Sequence, residues 1–190
     1  MLFQINAIAD DYKFMKKHYL PILFFLAIMP IFFIGLDRDK SVLPSPLIGK
    51  KIPEFSLPSL INSELQIDSS ELLNNTFLFN VWATWCVGCL EEHDFLMKLS
   101  ESNEIPIVGL NWRDNHNDAL AWLRDYGNPY TIIAEDVSGR VAIDWGVYGA
   151  PESFLVNSNG IILHKHLGPL DDYIWERDFR AIINDANLSK

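Results

Sequence analysis

Cys86 and Cys89 stand at a seam, and the seam dictates what kind of fold can hold them. Ahead of it lies an apolar run from Thr76 to Val81 that reads as a buried strand; behind it, Leu90, Phe95, Leu96 and Leu99 recur at helical spacing. The pair therefore opens a helix directly after a strand. Unpaired amides and the dipole at a helix N-terminus favour negative charge, so a thiol placed there ionises more readily and becomes the attacking species. Cys86, expected at an exposed position, is the expected nucleophile. Cys89, one turn further in, is placed to displace a mixed disulfide formed on Cys86. The chain has 2 cysteines in all, and structural disulfides usually close longer loops than this one, so a redox-active pair is the better reading.

With 190 residues and 49% hydrophobic content, the chain has the size of one globular domain plus an extension. Its formal net charge of -10 argues against a nucleic-acid footprint, which needs clustered Lys and Arg. An acidic surface suits either a basic protein partner or plain solubility. Residues 1–18 form a short lead carrying Lys13, Lys16 and Lys17, expected to be cytoplasmic; residues 19–36 are an uncharged Leu-, Ile- and Phe-rich run just long enough to span a bilayer. Pro21 and Pro30 are tolerated in such a span. Asp37-Arg38-Asp39-Lys40 follows with no small-residue cleavage pattern, so a retained transmembrane signal anchor is expected rather than a cleaved signal peptide. The three lysines orient it with the N-terminus in the cytoplasm. Residues 37–50, with Pro44 and Pro46, read as a linker, and residues 51–190 as the folded domain on the far side of the membrane.

Within that domain, Phe55–Leu57 and Leu65–Ile67 are short strand candidates, and Asp68 with Glu71 has capping-box spacing for a short helix through Leu73. The helix of the cysteines is expected to run to about Ser102, followed by a strand Ile107–Asn111, a helix Asp118–Tyr126 ended by Gly127, and a strand Tyr130–Ala134. A short helix Val141–Trp145 comes next. Strands Ser153–Val156 and Ile161–His166 flank the hairpin signal Asn157-Ser158-Asn159-Gly160, and a last amphipathic helix starts at Asp172. The order β, α, β, α, β, β, α predicts an α/β fold with a central mixed sheet and helices on both faces.

Trp85-Cys86-Val87-Gly88-Cys89 between strand and helix, with Gly149-Ala150-Pro151 before a hairpin, resembles the thioredoxin superfamily. The resemblance narrows at Val81-Trp82-Ala83-Thr84-Trp85-Cys86, Glu92-His93, Gly109-Leu110-Asn111-Trp112-Arg113-Asp114, Gly127-Asn128-Pro129-Tyr130 and Gly146-Val147-Tyr148-Gly149-Ala150-Pro151-Glu152. These stretches are similar to the membrane-anchored DsbE/CcmG thioredoxins of bacterial cytochrome c maturation. The resemblance implies a thioredoxin-like fold, a cis Ala150–Pro151 peptide lying against the cysteines, and Ala150 and Pro151, with Trp85, lining the substrate groove. It implies a single-pass inner-membrane protein whose C-terminal domain lies in the periplasm and reduces the disulfide of apocytochrome c before haem attachment. Partners would be apocytochrome c or haem-ligation components, with electrons supplied by a membrane donor of DsbD or CcdA type. The alternatives are a general periplasmic disulfide reductase and a module that binds apocytochrome without turnover.

Two carboxylates carry over by position. Glu92, three residues after Cys89, would accept the proton that Cys89 loses, and Glu152 would add acidic character beside the site. Their plain alternatives are first-turn helix charge and a solvated loop residue. Between the cysteines, Val87-Gly88 replaces the proline that many members carry, and a glycine there is expected to loosen the helix start. No cofactor or metal is expected. Cys86, Cys89 and His93 give part of a zinc site, but His164 and His166 are read as pointing to opposite strand faces and so do not complete it. Leu90 stands where haem attachment needs His. Trp122 and Trp175 are expected in the core, and Trp112 either there or beside Trp85.

Overall fold

The computed structural model describes residue 19, residues 21–31 and residues 46–188, with side chains described through residue 184. The chain divides into two units, Met1–Lys40 and Ser41–Lys190. In the first, residues 21–31 form a helix, α1. Among the described residues no helix is long and apolar enough to cross a membrane. The expected lead 1–18, the far end of the expected span at 32–36 and residues 37–45 of the expected linker lie outside the described residues.

In the second unit a small antiparallel pair, β1 (Ser56–Pro58) and β2 (Gln66–Asp68), precedes the main sheet. That sheet has five strands in the order β5-β4-β3-β6-β7: β3 (Phe77–Trp82), β4 (Ile107–Trp112), β5 (Ile132–Asp136), β6 (Glu152–Val156) and β7 (Ile162–Leu167). β3, β4 and β5 run parallel, and β6 and β7 are antiparallel, so the sheet is mixed as expected. Central β3 is buried at every position, which is why it shows no polar alternation. Chain preceding β3 covers both sheet edges: Ile52 donates to the Gly160 carbonyl at 2.8 Å beside β7, and Leu60 donates to Ile133 at 3.0 Å on β5.

Side chains alternate along β3. Leu78, Asn80 and Trp82 face the helices α2 (Val87–Ser102), α3 (His116–Tyr126) and the C-terminal helix α5 (residues 172–188), while Phe77, Phe79 and Val81 face α4 (Arg140–Asp144) and the β1–β2 pair. Helix α5 runs in three stretches, Asp172–Ile174, Trp175–Arg180 with π geometry, and Ala181–Leu188. On its face Trp175 stacks on Phe179, the two ring centroids lying 5.1 Å apart. On the opposite face Trp145 stacks on Phe79 at 3.9 Å.

Three expectations change. Helix α3 starts at His116 rather than Asp118, because Asn115 Oδ1 caps it by accepting the Asn117 and Asp118 amides. Asp68 makes no side-chain cap; a single 3₁₀ turn, Ser69–Leu72, forms there instead, and Ser69 Oγ accepts the Phe55 amide. His164 and His166 share one face of β7, since residues two apart on a strand point the same way. Both rings meet Phe179 edge-on, at 4.9 and 6.4 Å.

Candidate active site

The parallel strand β3 ends at Trp82, four residues turn, and α2 begins with Cys86 as its N-cap. Cys86 and Cys89 are joined in a disulfide. Cys86 Sγ also accepts the Cys89 amide at 3.1 Å, so the sulfur occupies the anion-favouring end of the helix. Cys86 is only 5% exposed, against the expectation of an exposed sulfur: as N-cap its side chain folds back over the first turn toward Cys89. The open surface beside it belongs to Trp85, 54% exposed, and Val87, 74% exposed.

The turn is held from β4. Asp114 accepts the Thr84 amide at 2.7 Å and the Thr84 hydroxyl at 2.6 Å, and Asn111 Nδ2 at 3.0 Å. Trp85 Nε1 donates to the Arg113 carbonyl at 3.2 Å, and its ring lies 5.6 Å from that of Trp112, which therefore sits beside Trp85. Trp175 is buried, as expected, whereas Trp122 is half-buried against His93 and Tyr126.

The Ala150–Pro151 peptide is cis, and Ala150 packs against the cluster that contains both cysteines. Gly88 does not loosen the helix start. A Cβ there would lie 2.9 Å from Pro151 Cδ and 3.2 Å from Pro169 Cγ, so the glycine is the close-packing point between helix and loops. The 168–170 loop is tied to both sides of the site, with Gly168 N donating to the Pro151 carbonyl at 3.0 Å and Leu170 N to Glu92 Oε2 at 2.8 Å.

Glu92 is fully buried, so the first-turn surface role is excluded. Asn80 Nδ2 donates to Glu92 Oε1 at 2.8 Å and to Ser153 Oγ at 3.0 Å, and Tyr130 OH donates to Asn80 Oδ1 at 2.9 Å. Gly109 admits this arrangement: Tyr130 crosses β4 where a Cβ would meet its ring at 2.9 Å. Desolvation pushes the Glu92 carboxyl up to about 8 and outweighs the two hydrogen bonds, which act in the other direction. Burial and the Glu92 charge together raise the Tyr130 hydroxyl well above its ordinary value. A carboxyl one turn from Cys89 that titrates near neutrality is suited to proton transfer.

Glu152 is buried too, but its carboxylate is turned to the α4 face of the sheet, opposite the cysteines. Its register partner Val81 and next-but-one neighbour Phe154 both belong to that face. There Glu152 Oε2 pairs with Lys165 Nζ at 2.9 Å, and Oε1 accepts the Tyr148 and Gly149 amides at 2.7 and 3.1 Å. The expected acidic character beside the thiols is thus offset by a cation, and the solvated-loop alternative fails as well.

Asn80, Asp114, Lys165 and Leu170 escaped the sequence reading. Asn80 carries a usable signal, an amide inside an otherwise apolar buried strand, which must find partners. His93 is buried, with Nε2 3.2 Å from the Tyr126 carbonyl. Among the described residues, no group of three or more His, Cys, Asp and Glu is placed to hold a metal. A cleft of about 590 Å3, lined in part by Lys51, Phe55, Ser69 and Asn159, lies at the end of the sheet where β3 begins, away from the cysteines.

The family model described as Redoxin matches residues 47–183. The thiol:disulfide interchange protein DsbE of Allochromatium vinosum is 42% identical over 168 residues, covering 88% of this chain and 93% of that protein. The DsbE protein of Escherichia coli strain K12 is 41% identical over 170 residues, covering 86% and 91%. A crystal structure of a putative thiol:disulfide interchange protein DsbE from Chlorobium tepidum superposes with a TM-score of 0.58 at 23% identity, over 75% of this chain and 96% of that one, and supports the fold. Taken with a disulfide at the mouth of a helix and a cis-proline loop beside it, these matches place the chain in the redoxin family, as a thiol–disulfide oxidoreductase of thioredoxin-like fold.

Proposed function

We propose that the protein is a membrane-anchored periplasmic reductase that opens the disulfide of apocytochrome c so that free thiols can receive haem. The observation that carries the reductive chemistry is the Cys86–Cys89 pair at the N-terminus of α2 with Glu92 buried one turn below Cys89. The Cys86 thiolate attacks the substrate disulfide, forming a mixed disulfide and releasing one substrate thiolate. Cys89 gives its proton to Glu92 and attacks Cys86 Sγ, releasing the second substrate thiolate. Two electrons pass to the substrate, and the protein is left as the Cys86–Cys89 disulfide, the form in this structure. A membrane dithiol donor of DsbD or CcdA type then reduces it again. Trp85 and Ala150 line the docking surface, and Pro151, buried against Gly88, backs it.

The cytochrome substrate and the anchor rest on the DsbE/CcmG resemblance, on relatives that carry the name DsbE, and on the uncharged run 19–36 behind three lysines. The decisive experiment is trapping. Cys89→Ala leaves the mixed disulfide on Cys86 unresolved, and mass spectrometry of the full-length protein from cells making cytochrome c identifies the captured partner. Apocytochrome c or a haem-ligation component is expected; capture of unrelated periplasmic proteins alone would replace the reading with a general reductase. In parallel, Cys86→Ser is expected to abolish holocytochrome, with rescue by external thiol. Assembly unaffected by that substitution points to binding without turnover. Alkaline extraction is expected to leave the protein in the membrane.

A further inference from the structure

Lys165 and Glu152 form an ion pair inside the protein, with side chains 1% and 3% exposed. Burying two charges is costly, and the pair is retained only if its remaining hydrogen-bonding capacity is used well. The hydrogen bonds that the two side chains make beyond each other go to one short segment. Glu152 Oε1 accepts the amides of Tyr148 and Gly149, and Lys165 Nζ donates to the Gly146 carbonyl at 2.7 Å. The ammonium also sits 4.4 Å from the centre of the Tyr148 ring, above the 5.1 Å contact with Phe154. Backbone groups of Gly146, Tyr148 and Gly149 are therefore fixed by two side chains that lie on the sheet face away from the cysteines. The segment they hold leads straight into Ala150 and Pro151, and Tyr148 remains 68% exposed beside them.

We propose that the Glu152–Lys165 pair is a positioning device for residues 146–149, fixing where Tyr148 and Ala150 meet an extended disulfide-bearing peptide, and that it acts on docking rather than on the thiols. This rests on the reductase reading above, and it gives Glu152 a different task from the electrostatic one expected from its position. The pair neutralises itself, so it adds little field at Cys86. Its hydrogen bonds instead set the height and tilt of the loop, and small displacements of a docking surface are costly to the reaction that follows.

The test uses the reduced protein and two variants, Lys165→Met and the double variant Glu152→Leu with Lys165→Met, the leucine removing the acceptor for the Tyr148 and Gly149 amides. The double variant leaves no unpaired buried charge and so guards against simple unfolding. Amide hydrogen exchange at Tyr148 and Gly149 is expected to accelerate at least about tenfold in the double variant while β3 amides stay protected. With a peptide carrying a Cys-x-x-Cys-His disulfide, KM is expected to rise about tenfold with kcat little changed. The pH profile of Cys86 alkylation is expected to coincide with that of the parent. Unchanged exchange at Tyr148 and Gly149 overturns the anchoring. An alkylation profile that shifts while KM does not overturns the docking role in favour of an electrostatic one. A parent protein inert toward the peptide refutes the reductase reading and the docking half of the proposal, and exchange still decides the anchoring half.

Discussion

The two faces of the central sheet each bury a glutamate, and the two are treated differently. On the face of α2, Glu92 meets two neutral donors, the Leu170 amide and Asn80, which is itself held by the Tyr130 hydroxyl. On the face of α4, Glu152 meets Lys165 and two amides. Burial alone raises the energy of an ionised carboxylate; neutral donors recover part of that energy, and a cation recovers more. The first arrangement leaves a carboxyl that takes up and releases protons near neutrality. The second holds a carboxylate against a lysine and presents it as an acceptor to two backbone amides. One residue type, equally hidden, becomes a proton carrier or a clamp according to its partner.

The comparison breaks most sharply when the cation is removed. Lys165→Met leaves Glu152 buried without its counter-charge and is expected to cost about 3–5 kcal/mol in chemical denaturation at pH 7, most of it recovered by adding Glu152→Gln. Glu92 behaves in the opposite sense. Its carboxyl is raised to about 8 from 4.5, so its contribution to stability is full below the unfolded value and is lost as pH rises through the folded one. Glu92→Gln is therefore expected to be roughly 4 kcal/mol more stable relative to the parent at pH 9 than at pH 5, measured by denaturation midpoints. The same variant is expected to slow peptide disulfide reduction about a hundredfold at pH 7 and to remove the inflection near pH 8 from the rate profile. Gly88→Ala sharpens the contrast between buried charge and close packing, with an expected loss of about 1–3 kcal/mol from overlap with Pro151 and Pro169. Smallest is Thr84→Val, which removes the hydroxyl donor to Asp114 while leaving the amide donor, at about 1 kcal/mol by thermal unfolding.

Local patterns made much of the architecture legible. The seam at Cys86 needed only a change of hydrophobic period, and the β6–β7 hairpin needed only the Asn159-Gly160 pair; in the fold the turn is closed by Asn157, whose Oδ1 accepts the Asn159 and Ile161 amides. What stayed hidden depends on partners distant in sequence. Nothing near Glu152 announces Lys165, and Asp114 looks like a loop acid until the turn at Thr84 folds against it. The histidines of β7 are a different lesson. The strand period of two by itself requires His164 and His166 to share a face, so the expectation of opposite faces fails on local geometry alone. Capping likewise depended on detail that spacing does not carry: Asn115 made its cap and Asp68 did not.

Gly88 sits between two prolines, one from each loop that borders the disulfide. In dithiol proteins the dipeptide between the cysteines helps set how readily the pair gives up electrons. Here one half of that dial is jammed by its neighbours and the other half, Val87, faces open solvent. Retuning the electron affinity of this centre by sequence change is accordingly a matter of position 87, unless Pro151 or Pro169 changes along with position 88.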